Sequence, residues 1–569
     1  MRTLLLLLLT WRVNMEETKN NEPCNAVTLL DKFESEFSAM THEQQTREWD
    51  FLTNMTPSTA EAREIFQPVY NQWMSTWKRW ARNYRDSESC PMSTLVLIQS
   101  MSNGIVLDNP LIARRVSELR TSLSSFSTDK SGDDIVRAIS TGRDPELLKS
   151  LWLKWAKRQR NSQPYFVALV DLLNDAARTN GYKDLTDNWN EGMETEGESL
   201  ELWEKVKPLY EQLHAYVRGA LVRAYGNQTV SPWSPLPVHL LGNVFGETWA
   251  NIADVVMPGC GTACSSQHRM SPVEVVKRAE LYFRSLGFPS LMRDFWERSI
   301  FSRPFNRTNI DCHASAYDFA DGRDYRIKVC LDGSPTDLET VLHELGHVHY
   351  FMEYRHRPPL LRTAPLGAIH EAVGDAFSHG KSCEGPSRGA DPTATSVHDL
   401  LREALQKIVS LPWILALDSW RYRVLRGQIS SLELASSLWE LRQKFQGIAP
   451  PNSEAREYFD VGGKYHVANF LPYMRYFFAR LLEYQFLHSM CSIGDPEAPL
   501  HMCCFLKKEG SGRSIRHMMS YGATIPWRTA LMTATGRKTI AAEPLLEYYQ
   551  PLFVWLKRQN DHLKNPVGW

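Results

Sequence analysis

The most informative segment of this 569-residue chain is residues 334–350, S-P-T-D-L-E-T-V-L-H-E-L-G-H-V-H-Y. Ser334 can cap a helix, Pro335 suits its first turn, and Asp337 fits the capping-box position. We therefore predict a helix over residues 335–355.

Two histidines on this helix are spaced for metal binding. Residues four apart lie only about 40° from each other around a helix, so His343 and His347 present their imidazoles on one face, as a single zinc ion requires. Glu344 lies about 100° further round and can polarise a water as general base. The alternative is a surface helix with polar residues, because so short a pattern also recurs by chance. A third ligand would decide between the two.

The third ligand is not a histidine of the HExxHxxGxxH kind, because Tyr350 and Glu353 occupy the Gly and His positions. The next segment, L-G-A-I-H-E-A-V-G-D-A-F at 366–377, offers Glu371 and Asp375 on one helical face. Glu371 can ligate the metal, and Asp375 can accept a hydrogen bond from a ligand imidazole. The alternative is a solvated carboxylate, but mostly small and apolar residues surround these two acids.

The rest of the chain is dominated by helical patterns. The composition, 43% hydrophobic and 23% charged, is that of a globular protein. We find no repeat and no flexible linker, and the best strand pattern is 324–330. Apolar residues recur at 3–4 spacing in 27–50, 60–85, 148–182, 199–225, 275–299, 395–425 and 431–446.

Charge gives no indication of a nucleic-acid partner. The net charge is −1, so no global attraction to polyanions is expected. Two basic runs, 78–85 and 153–160, interleave aromatic and positive residues, which could indicate nucleic-acid binding. We interpret them instead as helices with buried tryptophans and solvated basic faces.

The N-terminus and three sequons predict a secreted, extracellular protein. Residues 1–16 begin with an arginine and a short leucine block, typical of a signal peptide, although no clear small-x-small cleavage site follows. Asn54, Asn227 and Asn306 stand in N-x-S/T glycosylation sequons. No later run reaches the roughly 18 apolar residues of a membrane span, so we expect no transmembrane anchor.

The two metal-binding segments resemble those of the angiotensin-converting enzyme family of zinc peptidyl-dipeptidases, the M2 peptidases. The family hallmark is HEMGH followed by HEAIGD, with the ligand glutamate 24 residues after the second histidine. Here the segments read HELGH and HEAVGD, and Glu371 follows His347 by 24. The likeness runs from about residue 190 to the end and is weaker before it. Other family-like blocks are 213–218, 239–243, 312–319, 441–447, 464–467 and 472–477.

The resemblance implies one M2-type peptidase domain over residues 24–569. It implies a mainly α, two-lobed metallopeptidase with very little β-sheet, a deep central cleft with zinc at its bottom, and N-terminal helices over the entrance. The implied activity is release of C-terminal dipeptides from oligopeptides. Removal of a single residue and an inactive zinc-binding homologue remain alternatives, and the oligomeric state is left open.

The resemblance also assigns catalytic roles. It implies that His343, His347 and Glu371 bind one zinc ion and that Glu344 is the general base. His466 matches the histidine that stabilises the tetrahedral intermediate and helps to donate the proton.

Further roles concern substrate and anion binding. Tyr476 matches the tyrosine that hydrogen-bonds the oxyanion. His313 and the main chain of Ala314 match the pair that binds the substrate backbone. Arg475 matches the arginine of one chloride site. A second chloride site looks incomplete, because Asn190 and Leu438 replace its arginine and tryptophan, whereas Arg442 remains.

The expected carboxylate-binding group departs from the family pattern. Lys464 and Tyr473 match two of the three family residues that hold the substrate's C-terminal carboxylate. The third is a glutamine in the family and is Glu247 here. An ionised Glu247 about 5 Å from a carboxylate would repel it by roughly 3 kcal/mol at an effective dielectric of 20. We therefore expect altered recognition of the substrate C-terminus, with Lys464 able to pair with Glu247.

The resemblance implies two disulfides, Cys312–Cys330 and Cys491–Cys503. Cys260 and Cys264 could form another pair. The sequence does not assign partners to Cys24, Cys90, Cys383 and Cys504.

Overall fold

The computed structural model describes most of the chain, and the statements below refer to that part. The described residues are 26–84, 90–107, 109–128, 130–190, 195–257, 270–304, 310–334, 336–380 and 392–569. The predicted leader at 1–16, Cys24, Cys260, Cys264, Cys383 and Asn306 lie outside them.

Helices make up most of the described chain, and the mainly α fold class is confirmed. They bury apolar faces in one large core, with tryptophans among its largest members. The helices are α1 (Ala26–Thr53), α2 (Pro57–Tyr84), α3 (Met92–Ser102), α4 (Pro110–Thr128), α5 (Lys130–Thr141), α6 (Pro145–Gln159), α7 (Gln163–Thr179), α8 (Leu185–Trp189), α9 (Thr195–Tyr225), α10 (Ala253–Val256), α11 (Pro272–Ser285), α12 (Arg293–Arg298), α13 (Asp337–Tyr354), α14 (Gly367–Ser378), α15 (Pro392–Leu425), α16 (Leu434–Gln446), α17 (Tyr465–Ala468), α18 (Met474–Gly494), α19 (Arg513–Tyr521), α20 (Trp527–Thr535), α21 (Glu543–Tyr548) and α22 (Gln550–Leu563).

Two helical patterns that looked continuous in the sequence are interrupted. The pattern at 148–182 forms α6 and α7, with a 3₁₀ turn over Arg160–Ser162 and a proline in the first turn of α7. The pattern at 275–299 forms α11 and α12, and Gly287 between them has φ +86°. The 3–4 spacing of apolar residues continues across both helix breaks, so the spacing alone did not reveal where the helices end.

The histidine helix starts later than predicted. It begins at Asp337 rather than 335. The Ser334 hydroxyl donates to the Asp337 carboxylate at 2.8 Å instead of accepting from a helix N–H, and the same carboxylate accepts from the Gly333 N–H at 2.9 Å. The predicted serine cap is therefore wrong, because Asp337 engages that side chain.

The strands are short. β1 (Leu236–Pro237) pairs in parallel with β4 (Ile448–Ala449). β2 (Ser315–Asp318) and β3 (Tyr325–Lys328) form an antiparallel hairpin. The strand predicted at 324–330 is thus present as β3.

Helices α1 to α3 form a layer with a small hydrophobic core of its own. The tryptophans of the basic run 78–85 and of its counterpart 153–160 are buried, as our interpretation predicted. The layer touches the β2–β3 hairpin, where the Trp49 ring packs against Tyr317. It also touches the loop before β2, where the Asp311 N–H donates to the Leu52 carbonyl at 2.9 Å.

Helix α14 packs against both α13 and α18. Two glycines allow α13 and α14 to come very close. A Cβ placed on Gly346 would lie 2.8 Å from the Gly374 Cα, which is closer than such atoms normally approach. The two predicted metal-binding segments therefore meet backbone to backbone.

Candidate metal centre

The three predicted ligands converge where α13 crosses α14. The Nε2 atoms of His343 and His347 lie 3.1 Å apart, and an oxygen of Glu371 lies 4.0 Å from His343 Nε2. Ligand atoms of the three side chains all fall within 4.8 Å of one another. Two imidazoles and one carboxylate are the donor set of many catalytic zinc sites, which keep a fourth position open. These residues therefore fit a zinc ion.

Electrostatics at this point favour a positive charge. Burial opposes a charge on His343, but the hydrogen bond and charge of Asp375 prevail and raise the pKa of His343 to about 9. Glu344 and Glu371 add to the same negative field. A cation is thus favoured between these residues.

Each candidate histidine ligand is oriented by another side chain. His343 Nδ1 donates to Asp375 at 2.9 Å, as predicted from the sequence. His347 Nδ1 shares a hydrogen bond of 2.7 Å with Nδ1 of His370, which stacks on Tyr350. Burial lowers the pKa of His370 to about 4, so its ring is neutral and can accept. A metal ion would replace the proton on His343 Nε2, and the Nε2 atoms of both rings would then face it.

His370 was missed by the sequence analysis. The available signal was its place directly before Glu371, on the helix that faces α13. An imidazole one residue before a ligand points in another direction on an isolated helix. Only the crossing of the two helices shows that His370 reaches His347.

Asp375 connects the centre to a buried group of charges. Its second oxygen accepts from Arg480 at 3.1 Å, and Arg480 also donates to Glu483 at 2.5 Å. Glu483 is fully buried and also contacts Lys407 and His379. A second cluster of possible metal ligands, His379, Glu403 and Glu483, already holds the Lys407 ammonium between its carboxylates.

Glu344 is the predicted base. Its side chain is 5% exposed, and burial raises the pKa of Glu344 to about 7, against the opposing charge of His343. A carboxylate with a pKa near neutrality can accept a proton and release it again.

His466 and Tyr476 lie together beside the ligands. His466 Nε2 and the Tyr476 hydroxyl are 3.2 Å apart, and the ring of Tyr473 lies 4.6 Å from that of His466. Burial, aided by Lys464, lowers the pKa of His466 to about 3, so the ring is neutral. Burial and the negative charge of Glu371 raise the pKa of Tyr476, so the phenol keeps its proton close to the predicted centre.

The loop that carries His313 and Ala314 is held in place by the side chain of Lys328. The fully buried Lys328 ammonium donates to the carbonyls of Asp311 and His313 at 2.6 and 2.7 Å. The Cys312–Cys330 disulfide closes the same loop. His313 is exposed, and its charge contributes to lowering the pKa of His466. Lys328 was not singled out in the sequence.

Glu247 occupies the two groups that were expected to bind a substrate carboxylate. Its Oε2 accepts from Lys464 Nζ at 2.6 Å and from the Tyr473 hydroxyl at 3.3 Å. Lys464 is 9% exposed. The pairing expected from the sequence is therefore present, and both donors are engaged by a carboxylate of the protein.

The two arginines associated with chloride have different environments. Arg442 is fully buried, donates to Asp460 at 3.0 Å and lies 3.7 Å above the Trp439 ring. Arg475 donates to the Pro472 carbonyl at 2.9 Å and forms no ion pair with a described residue. A carboxylate thus already neutralises Arg442, whereas no described carboxylate pairs with Arg475.

The covalent and surface features can be located as well. Cys312–Cys330 and Cys491–Cys503 are disulfides, and Cys90 and Cys504 are disulfide-bonded. Asn54 and Asn227 are exposed, as glycan attachment requires. Among the described helices, none combines the length and the apolar character of a membrane span.

Comparison with known proteins gives a consistent result. The family model "Peptidase_M2: Angiotensin-converting enzyme" matches residues 20–569. Angiotensin-converting enzyme of Oryctolagus cuniculus is 31% identical over 96% of this chain and 44% of its own length. The Bos taurus enzyme is 32% identical over 88% of this chain and 39% of its own length. The angiotensin-converting enzyme-like protein Ace3 of Mus musculus is 28% identical over 99% of this chain and 81% of its own length. The chain thus spans less than half of the first two relatives.

Proposed function

Since this chain belongs to the angiotensin-converting enzyme family of M2 peptidases, we propose that it is a zinc peptidyl-dipeptidase that releases C-terminal dipeptides from oligopeptides. The observation that carries the proposal is the convergence of His343, His347 and Glu371 beside the buried carboxylate of Glu344. An inactive homologue would have little need for a buried carboxylate at this position.

In the proposed mechanism, His343, His347 and Glu371 would hold the zinc ion. Zinc bound there would supply Lewis acidity and lower the pKa of water. Glu344 takes the proton of the attacking water and passes it toward the leaving amine. Tyr476 donates to the carbonyl oxygen as it becomes negatively charged.

Two further contacts position the substrate. The exposed His313 and the backbone of Ala314 bind the substrate main chain. His466 shares a hydrogen bond with Tyr476. Its neutral ring can orient the Tyr476 hydroxyl or donate a hydrogen bond itself.

Asp375 and His370 keep the ligand imidazoles of His343 and His347 in one tautomer.

The test uses the zinc-loaded protein and a peptide with a blocked N-terminus and a free C-terminus, with products identified by mass. Loss of a C-terminal dipeptide is expected, together with its absence in Glu344→Gln at unchanged zinc content. Loss of one residue would assign a carboxypeptidase instead. No cleavage across varied peptides, with zinc still bound, would favour the inactive homologue.

One observation favours a variant of this function. Because Glu247 engages Lys464 and Tyr473, a free C-terminal carboxylate meets a group that is already neutralised. The enzyme is therefore proposed to prefer a blocked, amidated C-terminus or a basic C-terminal residue. Matched peptides that differ only in a C-terminal acid or amide test this preference, and a strong preference for the acid would refute it.

Secretion is proposed as well. Two disulfides and two exposed sequons support it, because disulfides persist in oxidising compartments. Expression in a secretory cell should yield protein in the medium whose mass falls on enzymatic removal of N-glycans. Retention of an unglycosylated protein inside the cell would contradict this proposal.

A further inference from the structure

A cavity of about 370 Å³ lies between the N-terminal layer and the main core. Its walls come from α2, α4, α7 and α8 and from the links that follow α3 and α17. None of the residues placed in the predicted metal centre lines it. Its volume lies at the lower end of the range for small-molecule sites.

Arg120, on α4, places a positively charged side chain in the wall of this cavity. Its Nε atom is buried without a hydrogen-bond partner, and no described residue forms an ion pair with the side chain. The fully buried arginines of the described chain are paired with carboxylates or carbonyls, as Arg218, Arg421 and Arg442 are. Arg120 is only partly buried, but its buried Nε–H lacks such a partner, and a buried donor without a hydrogen bond is costly.

A second basic residue, Lys78, also lines the cavity and has an interaction of its own. No carboxylate occurs among the described lining residues. Burial lowers the pKa of Arg120, which is the effect expected of a cation without a counterion. An anion entering the cavity would relieve this cost.

The remaining walls are mixed: Asn71, Ser75 and Asn188 add polar groups, and one side of the cavity is apolar. Leu173, Leu185 and Phe470 line the side of the cavity that belongs to the main core. A guanidinium binds carboxylates through a planar pair of hydrogen bonds. A small organic acid with one carboxylate and a hydrocarbon or aromatic tail matches both parts of the cavity, whereas a strongly hydrated inorganic ion matches only one.

We propose that this cavity is a binding site for small amphipathic monocarboxylates, with Arg120 binding the carboxylate and Leu173, Leu185 and Phe470 contacting the tail. The site is separate from the predicted zinc centre and does not depend on the proposed peptidase activity.

The test measures binding of 4-phenylbutyrate and its neutral analogue 4-phenylbutyramide by calorimetry, on the zinc-loaded protein. The carboxylate should bind at least tenfold more tightly than the amide. Arg120→Gln should weaken carboxylate binding by a similar factor, which corresponds to about 1.4 kcal/mol. Equal affinity for acid and amide, or no saturable binding at millimolar concentration, would overturn the proposal.

Two controls locate the binding. Arg114→Gln removes an exposed arginine of the same helix, which pairs with Glu118, and should leave the affinity unchanged. His343→Ala should also keep it, and a loss there would show that the probe occupied the zinc centre, which refutes the cavity. Arg120→Lys keeps the charge but not the planar pair, so weaker binding by a folded Arg120→Lys protein supports the site even if Arg120→Gln fails to fold.

Discussion

Asp375 is the carboxylate that ties a candidate metal ligand to the interior. It holds His343 with one oxygen and Arg480 with the other. Although burial favours its neutral form, Arg480 and His343 keep the pKa of Asp375 well below its usual value. The group is therefore ionised at any working pH and fixes the His343 tautomer.

Replacing Asp375 by Asn should weaken zinc binding by about 10- to 100-fold. Each oxygen of Asp375 accepts a hydrogen bond, one from His343 and one from Arg480, whereas asparagine has only one acceptor oxygen. Competition with a chelator measures the affinity. Asp175→Asn is the matched control, since Asp175 forms an exposed i,i+3 pair with Arg178. Unchanged zinc affinity in Asp375→Asn would refute the role assigned to this residue.

Glu247→Gln should free Lys464 and Tyr473 for a substrate carboxylate. We expect KM for a free-acid peptide to fall by about tenfold, because a repelling charge is removed from the donors. The amidated form of the same peptide should show no such gain. Glu440→Gln, at an exposed position of α16, serves as the control. Unchanged cleavage of free-acid peptides would show that the pair has no bearing on C-terminal recognition.

The sequence predicted those residues whose role follows from spacing along one helix or from the family-like blocks. His343, His347 and Glu371 are such cases, and the structure brings them together. His370 and Lys328 are of another kind, because their contacts depend on how separate elements cross. No local pattern distinguishes such a lysine from a solvated one.

At the level of elements, the crossing of α13 and α14 governs the distances within the centre. Gly346 and Gly374 permit the approach, and each helix then presents its candidate ligands to the other. The existence of both helices followed from the sequence. Their crossing did not, because glycine in a helix is more often tolerated than required.

Gly346→Ala should destabilise the protein by about 1–3 kcal/mol, since the added methyl group meets backbone that can move only if the helices separate. Zinc affinity should fall in the same variant. The control is Gly197→Ala in α9, where a Cβ meets nothing within 4 Å. That change should be neutral or stabilise by about 0.5–1 kcal/mol. Denaturant unfolding measures both, and equal stability of the two variants would contradict the argument.

Across the whole molecule, buried histidines make stability depend on pH. Burial lowers the pKa of His214 to about 3 and that of His239 to about 4. In the unfolded chain both would titrate near 6.5. Below that value the unfolded state binds more protons than the folded state, so stability falls as the pH decreases.

For His214 the expected loss between pH 7 and pH 5 is about 2 kcal/mol. His214→Gln keeps a donor for the Gly447 carbonyl, which His214 contacts at 2.9 Å, and should reduce the pH dependence by that amount. Denaturant unfolding at both pH values measures it, with His562→Gln as a control at an exposed position of α22. An identical pH dependence in wild type and His214→Gln would exclude this histidine as a cause.

The contact between Arg480 and Asp375 joins residues 105 positions apart, and this separation has a consequence for biosynthesis. The ribosome completes His343, His347 and Glu371 well before it reaches Arg480. At about 5–20 residues per second, the interval is on the order of 10 s. During that time the nascent chain contains all three candidate ligands without the arginine that holds Asp375, the partner of His343. Metal loading in the cell is therefore expected to follow, rather than accompany, emergence of the histidine motif from the ribosome.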